Sequence, residues 1–338
     1  MQSRCPHCST ASEVDNGQAG RPVTCATCRR VYVALAMDSA REGLSLVPEA
    51  GTAAPPPGQT VRHVAARNRR LDESAAVTVA DLGIELAPIQ PGRFVRGSDR
   101  GYGNEAPKHI VTLSDPFWMA RTPVTQEQWL AVMLANPSYF AGPRHPVETV
   151  SWAEALEFCR RLTERERCAN RLPDTAFFRL PTEAEWEYVC RTTPQARGGA
   201  AGEGAWRHLS ESSEYGFGDA PEQLDAYGWY AGNSDGTTHP VGLKKANPWG
   251  IWDLHGNVGE WCMDWYDTYT TKDVANPTGP PSGGRKVRRG GAWCSLATRC
   301  RAANRIGVSP ECACAIVGFR VVLVCTGVCP YEGSTRVW

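Results

Sequence analysis

Four cysteines near the start of the chain have the spacing of a zinc site. Cys5, Cys8, Cys25 and Cys28 form the pattern C-x2-C-x16-C-x2-C. A tight turn at each pair would direct two thiolates at one tetrahedral ion. Four thiolates fill the coordination sphere, so the pattern predicts a structural zinc rather than a catalytic one. So short a segment has no adequate core without such a crosslink, although reduced or disulfide-linked cysteines would show the same spacing.

A second candidate metal site lies in the sequence His255-Gly-Asn-Val-Gly-Glu-Trp261. The side chains of Asn257 and Glu260 and the carbonyl groups of Val258 and Gly259 are hard oxygen ligands, which suit calcium. A tight turn anchored by aromatic residues would explain the same sequence without a metal. The short run of ligands leaves both interpretations open.

Composition and charge exclude several classes of protein. The chain has 338 residues, enough for about two domains, and 42% of them are apolar, which suffices for a sizeable core. Basic and acidic residues balance at 36 each, so no overall field attracts nucleic acid or a membrane surface. The longest apolar runs, such as Val321–Cys325, are too short to span a bilayer, and the first residues lack the apolar core of a secretory signal. We therefore expect a cytoplasmic protein without a membrane span.

Three capping boxes predict the helices that must support any site. In each, a Ser or Thr is followed three residues later by Glu or Gln, which predicts helices over 126–134, 152–165 and 183–191. Apolar residues in the second and third helices repeat at three and four residues, as on a buried face. Cys159 and Cys190 lie on these faces, so we expect them in the core rather than as reactive thiols.

Composition divides the chain into four parts. Residues 1–36 hold the cysteine pairs and are predicted to form the zinc ribbon; nucleic acid is not indicated beyond it. Residues 37–79 are rich in Ala and Pro without apolar periodicity, as in a flexible linker. Residues 80–324 are predicted to form an α+β domain with much irregular structure, because the chain has 12 Trp and 33 Gly and few long helices. Residues 325–338 are a C-terminal tail.

A series of motifs in residues 80–324 carries a family resemblance. In chain order they are Gly92-Arg-Phe-Val-Arg-Gly-Ser98, Glu105-Ala-Pro-Lys-His109, Thr122-Pro-Val-Thr-Gln126, His145-Pro-Val147, Val150-Ser-Trp152, Arg179-Leu-Pro-Thr-Glu-Ala-Glu-Trp-Glu187, His239-Pro-Val-Gly242, Asn247-Pro-Trp-Gly250, His255-Gly-Asn-Val-Gly-Glu-Trp261 and Gly318-Phe-Arg320. This series resembles the formylglycine-generating enzyme, or sulfatase-modifying factor, family. The resemblance implies a C-type-lectin-like fold, with a small antiparallel sheet, flanking helices and extensive irregular structure. Related proteins are similar in binding calcium at the loop around residues 257–260.

The resemblance implies a copper-dependent enzyme as one alternative. Active members have two cysteines just after a Gly-Gly-Ser-aromatic element, with a His following the first and the second in a Ser-Tyr-Cys context. Here Gly290-Gly-Ala-Trp293 is followed by Cys294 and Cys300 without that His or Tyr. The two thiols could still bind copper(I), a soft ion, as in an oxidase that converts sulfatase cysteines to formylglycine. A reactive thiol needs neighbours that tune it, so we favour a protein without catalytic residues.

The segment from Arg288 to Arg320 resembles the branch of this family that serves as variable proteins of diversity-generating retroelements. Its frame consists of residues 288–293, 301–305, 310 and 317–320, and the residues between them follow neither helical nor strand periodicity. In that branch, mutagenised Asn codons can yield Cys, Ser, Leu, Ile, Gly, Val, Ala, Arg or Thr, but not Lys, Glu, Gln, Met or Trp. The candidate variable positions obey this restriction: Cys294, Ser295, Leu296, Thr298, Arg299, Ile306, Gly307, Val308, Ser309, Cys312, Ala313, Cys314, Ala315 and Ile316.

The frame is predicted to keep its structure while the variable side chains change. Its two adjacent glycines allow close backbone approach, Trp293 and Phe319 can anchor the core, and Arg301, Arg305 and Arg320 can bind carbonyl or carboxylate groups of the scaffold. The variable side chains would then share one solvent-facing surface that binds an unknown protein or small-molecule ligand. Their small, apolar character favours a modest hydrophobic patch. An ordinary loop of an inactive paralogue is the alternative.

Overall fold

The structure, a computed structural model, describes residues 71–191, 213–325 and 331, together with the backbone of four short strands nearer the N-terminus. These strands are β1 (Gln2–Arg4), β2 (Ala11–Glu13), β3 (Pro22–Thr24) and β4 (Val31–Val33). β1 pairs antiparallel with β2, and β3 pairs antiparallel with β4. Cys5, Cys8, Cys25 and Cys28 lie outside the described residues, so the zinc ribbon stays a prediction.

The other elements follow in chain order. The first of them are β5 (Val77–Val79), β6 (Ile84–Ile89), β7 (Gly92–Arg96), β8 (His109–Leu113), β9 (Phe117–Ala120), α1 (Gln126–Met133) and α2 (Trp152–Cys168). They are followed by β10 (Phe177–Arg179), α3 (Glu183–Arg191), α4 (Leu224–Tyr227), β11 (Gly259–Trp265), β12 (Val274–Ala275), β13 (Lys286–Arg289), β14 (Arg305–Val308), β15 (Val317–Gly318) and β16 (Val322–Val324).

These strands form three short sheets. One has five antiparallel strands in the order β10-β16-β9-β6-β5, and another has three in the order β12-β8-β7. The third, in the order β14-β13-β11-β15, takes three of its four strands wholly or partly from the segment 288–320. Within it β13 pairs antiparallel with both β11 and β14, and β15 joins parallel to β11. The segment is therefore built into a sheet at both of its ends.

The three predicted helices are confirmed. α1 ends one residue earlier than predicted, because Leu134 takes the left-handed conformation at φ 74° and closes the helix. The reciprocal capping box at its start is present, with Thr125 and Gln128 hydrogen-bonded in both directions. α3 has the predicted bounds, and α2 continues three residues beyond its predicted end at Arg165. Cys159 and Cys190 are buried, as predicted.

The end of the predicted linker differs from the structure. Val77–Val79, placed at its last three positions, form β5, which pairs antiparallel with β6. The alternation Val-Thr-Val is typical of a strand with one buried face, and Val79 is indeed buried while Thr78 is exposed. The domain's first sheet therefore begins before residue 80.

Irregular backbone is extensive, as predicted, and side chains hold it. From Gly228 to Val258, a fully described stretch, there is no helix or strand. The Asn257 side chain bonds to the main chain of His239 as a neighbouring strand would. Its Oδ1 accepts from the His239 amide and its Nδ2 donates to the His239 carbonyl, both at 3.0 Å. Asp253 similarly accepts from the Gly242 amide at 2.8 Å. The α+β class with much irregular structure is confirmed.

Candidate binding surface

Arginines of the frame bind buried carboxylates elsewhere in the fold, as predicted. Arg301 makes two hydrogen bonds to Glu105, at 2.8 and 2.6 Å, although 196 positions separate the two residues. Arg320 binds both carboxylate oxygens of Glu260 at 2.6 Å. Such bidentate pairs fix direction as well as distance. The frame is thereby held to the scaffold from several sides.

Glu183, at the start of α3, is the centre of the largest ionic cluster. Arg305 binds both of its oxygens, at 2.7 and 2.8 Å, and Arg289 and Arg96 bind it at 2.9 and 2.5 Å. Burial alone would raise the pKa of Glu183, but Arg305, Arg96 and Arg289 hold it well below its ordinary value. The carboxylate is therefore ionised throughout the neutral range. It ties β13 and β14 to the helix.

The two adjacent glycines of the frame allow a turn that other residues would block. Gly290 and Gly291 both have positive φ, at 96° and 75°. A Cβ at residue 291 would lie 2.6 Å from Cys300 Sγ, and one at 290 would lie 3.1 Å from the Trp186 ring. Both the conformation and the space therefore require glycine. This turn places the following residues, from Trp293 onward, at the surface.

Burial separates the frame from the candidate variable positions. Every frame residue in 288–292, 301–305 and 317–320 is buried, and Trp293 and Pro310 are half-buried. The fourteen candidate positions in 294–316 are without exception half-buried or exposed; Leu296 is 69% exposed. Three buried runs alternate with two accessible runs along the segment. The frame residues thus lie mainly in the interior, and the candidate positions lie at the surface.

The variable stretches are attached through their main chain. The amides of Ala231, Thr149 and Gly259 donate to the carbonyls of Ser295, Cys314 and Ile316, at 2.9, 3.1 and 2.8 Å. The Trp152 amide donates to the Pro310 carbonyl at 2.9 Å. These bonds do not use the side chains of the variable residues. Side-chain exchange therefore leaves them in place.

Aromatic side chains of the scaffold border this surface. Trp293 donates from its ring nitrogen to the Ala315 carbonyl at 2.8 Å, and its ring meets Phe140 edge-on with centroids 5.2 Å apart. Tyr139 beside it is 77% exposed. The Arg299 guanidinium lies 4.0 Å from the centre of the Tyr102 ring. The accessible face thus combines small variable side chains with fixed aromatic groups at its border.

Cys294 and Cys300 differ in accessibility. Cys294 is exposed, whereas Cys300 is fully buried in a small cluster with Tyr215 and Leu224. Burial, with a smaller effect of the Cys294 thiol, raises the pKa of Cys300 to about 12. A thiol with this pKa is protonated at neutral pH, and thiolates are the metal ligands and nucleophiles. Cys300 is therefore a core residue next to the frame.

His255 is a neutral structural residue that the sequence did not assign. Its Nε2 accepts from the Gly216 amide at 3.1 Å, so its Nδ1 carries the proton and donates to the Cys300 carbonyl at 2.8 Å. Burial lowers the pKa of His255 to about 4. The ring thus fixes the Cys300 main chain and does not act as a base. Its position in the His-Gly-Asn motif was the only sequence signal.

The residues predicted for calcium do not fit that ion. Glu260 is fully buried, and its oxygens accept from Arg320 and from the Trp186 ring nitrogen at 2.9 Å. The Asn257 side chain is occupied by His239, and its carbonyl accepts from the Trp293 amide. Gly259 is the first residue of β11, directly after Val258, and it pairs with Val317 of β15. These partners already occupy the side chains of Asn257 and Glu260, and we derive no metal chemistry from the loop.

A search of the described residues for other metal sites and for membrane spans was negative. Within 71–191 and 213–325, no three His, Cys, Asp or Glu side chains are grouped so that they could hold a metal ion. None of the helices in these ranges is both long and apolar enough to cross a bilayer.

Comparison with known proteins identifies the family. Residues 83–324 match the model described as the sulfatase-modifying factor enzyme 1-like domain. Chaperone protein LppX of Paenibacillus barcinonensis is 31% identical over 261 residues, covering 66% of this chain and 82% of that protein. The formylglycine-generating enzyme of Streptomyces coelicolor is 30% identical over 301 residues, covering 80% of this chain and 83% of the enzyme. Other curated relatives are longer, and the chain spans only 39% and 37% of two of them.

A solved structure supports the same assignment. Treponema denticola variable protein 1 superposes with a TM-score of 0.62 at 29% identity, covering 73% of this chain and 98% of that one. The predicted C-type-lectin-like fold is thereby confirmed for the domain. With the family model matching well over half of its length, the chain belongs to the sulfatase-modifying factor family, which includes the formylglycine-generating enzymes.

Proposed function

We propose that this protein is a non-catalytic ligand-binding protein, a variable protein of the kind that diversity-generating retroelements alter. The separation of buried frame residues from fourteen accessible positions between 294 and 316 carries the proposal. The likeness to Treponema denticola variable protein 1 supports it. Binding would occur at the surface formed by these positions, which we call the variable surface.

Two features explain how this surface could change without unfolding the domain. The variable stretches are attached by main-chain hydrogen bonds, and three frame arginines, Arg301, Arg305 and Arg320, pair with carboxylates outside the segment. Neither depends on the side chains at the variable positions. The present side chains are small and mostly apolar, so the ligand, a protein or a small molecule, would make modest hydrophobic contact.

The copper-dependent formylglycine-generating oxidase is the alternative, favoured by identity to the Streptomyces coelicolor enzyme and by the presence of two cysteines after the Gly-Gly turn. The burial of Cys300 weighs against it. A copper(I) titration distinguishes the two functions. The oxidase requires copper(I) binding and formylglycine formation in a sulfatase peptide, both lost in Cys294→Ser and Cys300→Ser. Binding and turnover that depend on these thiols would refute the non-catalytic proposal.

The zinc ribbon and the location of the protein are further parts of the proposal. The spacing of the four N-terminal cysteines supports a structural zinc ion, and their thiolates need the reducing conditions of the cytoplasm. Removal of zinc by a chelator would then release one equivalent of the metal from the full chain. Release of none, after purification under reducing conditions, would contradict the zinc assignment.

Exchange of the variable side chains tests the main proposal. A library that encodes the allowed residue types at the candidate positions other than Gly307, where a Cβ would lie 2.7 Å from Tyr266 Cγ, is displayed and selected against a panel of proteins and small molecules. We expect binders whose ligand depends on the exchanged residues and whose melting temperature lies within a few degrees of the parent. The matched control is Ala302→Asn in the buried frame against Ala313→Asn on the surface. Equal destabilisation by both, or a library that mostly fails to fold, would overturn the proposal.

A further inference from the structure

One arginine of the frame lacks the carboxylate that the others have. Arg289, Arg301, Arg305 and Arg320 all form ion pairs. Arg288 forms none, and no described oxygen accepts a hydrogen bond from its guanidinium group. Its side chain is nevertheless only 8% exposed. Arg288 is therefore a largely buried cation without an anion in the described part of the chain.

Strand geometry directs Arg288 and Arg289 to opposite faces of the sheet. Arg289 points inward to Glu183 and Glu187, so Arg288 lies on the other face. There it is directly opposite Ile306 of β14, one of the variable positions. Its stem packs over Gly259, where a Cβ would come within 2.7 Å of Arg288 Cδ. This contact holds the stem in place beneath the variable surface.

The side chains that interact electrostatically with Arg288 come from the variable surface. Burial lowers the pKa of Arg288, and the thiols of Cys314, Cys312 and Cys294 act in the opposite direction. Burial and the contact with Cys314 raise the pKa of Cys312 to about 11, so that thiol is protonated at neutral pH. The described groups around Arg288 thus include no carboxylate that compensates its charge. Ile306 lies directly opposite Arg288 in the sheet, and Cys294, Cys312 and Cys314 act on its charge, as does the like charge of Arg299.

Most of the Arg288 side chain is buried, but none of its guanidinium nitrogens is both buried and unpaired, so the unpaired ones still reach solvent. The group stays charged. A carboxylate that reaches these nitrogens would form a charge-assisted, bidentate contact. The side chains around it are apolar, which favours an apolar group next to that carboxylate.

We propose that Arg288 is a constant anion-binding residue of the variable surface, and that the ligand presents a carboxylate attached to an apolar group. The carboxylate binds Arg288, and the apolar group contacts Ile306 and the thiols of Cys312 and Cys314. This inference rests on the proposed function, because it takes residues 294–316 as the surface that receives the ligand. Diversification would then alter the contacts around one fixed charge.

The test uses the full chain with sodium hexanoate as the probe and hexanamide, its uncharged counterpart, as the comparison. Binding is followed by NMR titration of the arginine Nε–H signals. We expect hexanoate to bind roughly tenfold more tightly than hexanamide, and the Arg288 signal to move. Arg288→Met removes the charge but keeps an unbranched stem over Gly259, and it should lose this preference. Arg93→Met, which removes an exposed charge from β7, outside the variable positions, should keep it.

Two results would overturn the inference: equal binding of the two probes to the parent chain, or a preference for hexanoate that survives in Arg288→Met. A peptide with a free C-terminal carboxylate and its amidated form then separate the sources of the carboxylate. Competition with hexanoate by the free form alone supports a polypeptide ligand, and competition by neither peptide supports a small organic acid. If the Arg288 inference fails, the proposed function can still be tested by the library experiment, because that experiment measures ligand choice and melting temperature and does not use hexanoate.

Discussion

Arg320 and Glu260 form a bidentate ion pair in which both side chains are fully buried, with 2.6 Å between each bonded nitrogen and oxygen. Arg320 ends the segment that carries the candidate variable positions, and Glu260 of β11 pairs with Arg289 of β13. The pair therefore fixes the C-terminal end of the segment to the sheet. Arg320 thereby binds both oxygens of the carboxylate that the sequence predicted as a calcium ligand.

Removal of Arg320 alone should destabilise the domain more than replacement of both Arg320 and Glu260. Arg320→Met leaves Glu260 buried and uncompensated, which should lower the free energy of unfolding by about 3–5 kcal/mol. The double variant Arg320→Met with Glu260→Gln should lose less than the single variant. Urea denaturation measures both. A double variant less stable than Arg320→Met would contradict the ion-pair interpretation.

The Gly-Gly turn should not tolerate a side chain. Gly291→Ala places a Cβ 2.6 Å from Cys300 Sγ at φ 75°, and we expect a loss of about 2 kcal/mol or more. Gly284→Ala is the matched control, because no atom lies within 4 Å of the added Cβ and the residue is exposed. Thermal unfolding compares the two. Equal melting temperatures would show that the turn does not require glycine.

Asp264 should make the domain less stable as the pH rises. Burial, and next the charge of Glu183, raises the pKa of Asp264 from 3.8 to about 7. The folded state thus holds a proton that the unfolded state has released, so stability falls between about pH 4 and pH 7. Asp264→Asn removes this dependence and should gain about 2–4 kcal/mol relative to the parent at pH 8, and less at pH 5. Asp235→Asn, at an exposed position, is the control. An equal effect of Asp264→Asn at both pH values would refute this assignment.

The two cysteines after the turn should react at very different rates. Cys294 is exposed, whereas Cys300 is fully buried and its pKa is raised to about 12 by burial. We expect iodoacetamide to alkylate Cys294 in the folded protein and Cys300 only after unfolding. Peptide mass spectrometry measures both sites in one sample. Similar rates at the two cysteines would place Cys300 at the surface and restore the paired-thiol interpretation.

Local sequence signals predicted much of the fold. The capping boxes located three helices because the bonds of a capping box involve residues only three positions apart. The division of 288–320 into frame residues and residues without periodicity likewise led us to expect that the latter would be accessible, and they are half-buried or exposed. Trp293 was predicted as a core anchor together with Phe319, but it is only half-buried and borders the surface.

Partners distant in sequence could not be predicted. Sequence showed that Arg301 would need an oxygen acceptor, but Glu105 is 196 positions away, and only the folded chain brings the two together. The calcium prediction depended on the same kind of information. A glutamate carboxylate can bind calcium, but the carboxylate of Glu260 already accepts a hydrogen bond from Arg320, which lies 60 positions further along the chain. The unpaired state of Arg288 is likewise visible only when every neighbour is known.

Four of the bonds that attach this segment to the scaffold have the same direction. At residues 295, 310, 314 and 316 the scaffold supplies the amide hydrogen and the segment supplies the carbonyl oxygen. The carbonyl is the one hydrogen-bonding group that all twenty amino acids share, proline included, and residue 310 is itself a proline. A codon change at these places therefore cannot delete the acceptor. Any substitution at these four residues therefore keeps the carbonyl oxygen that each of the four bonds requires.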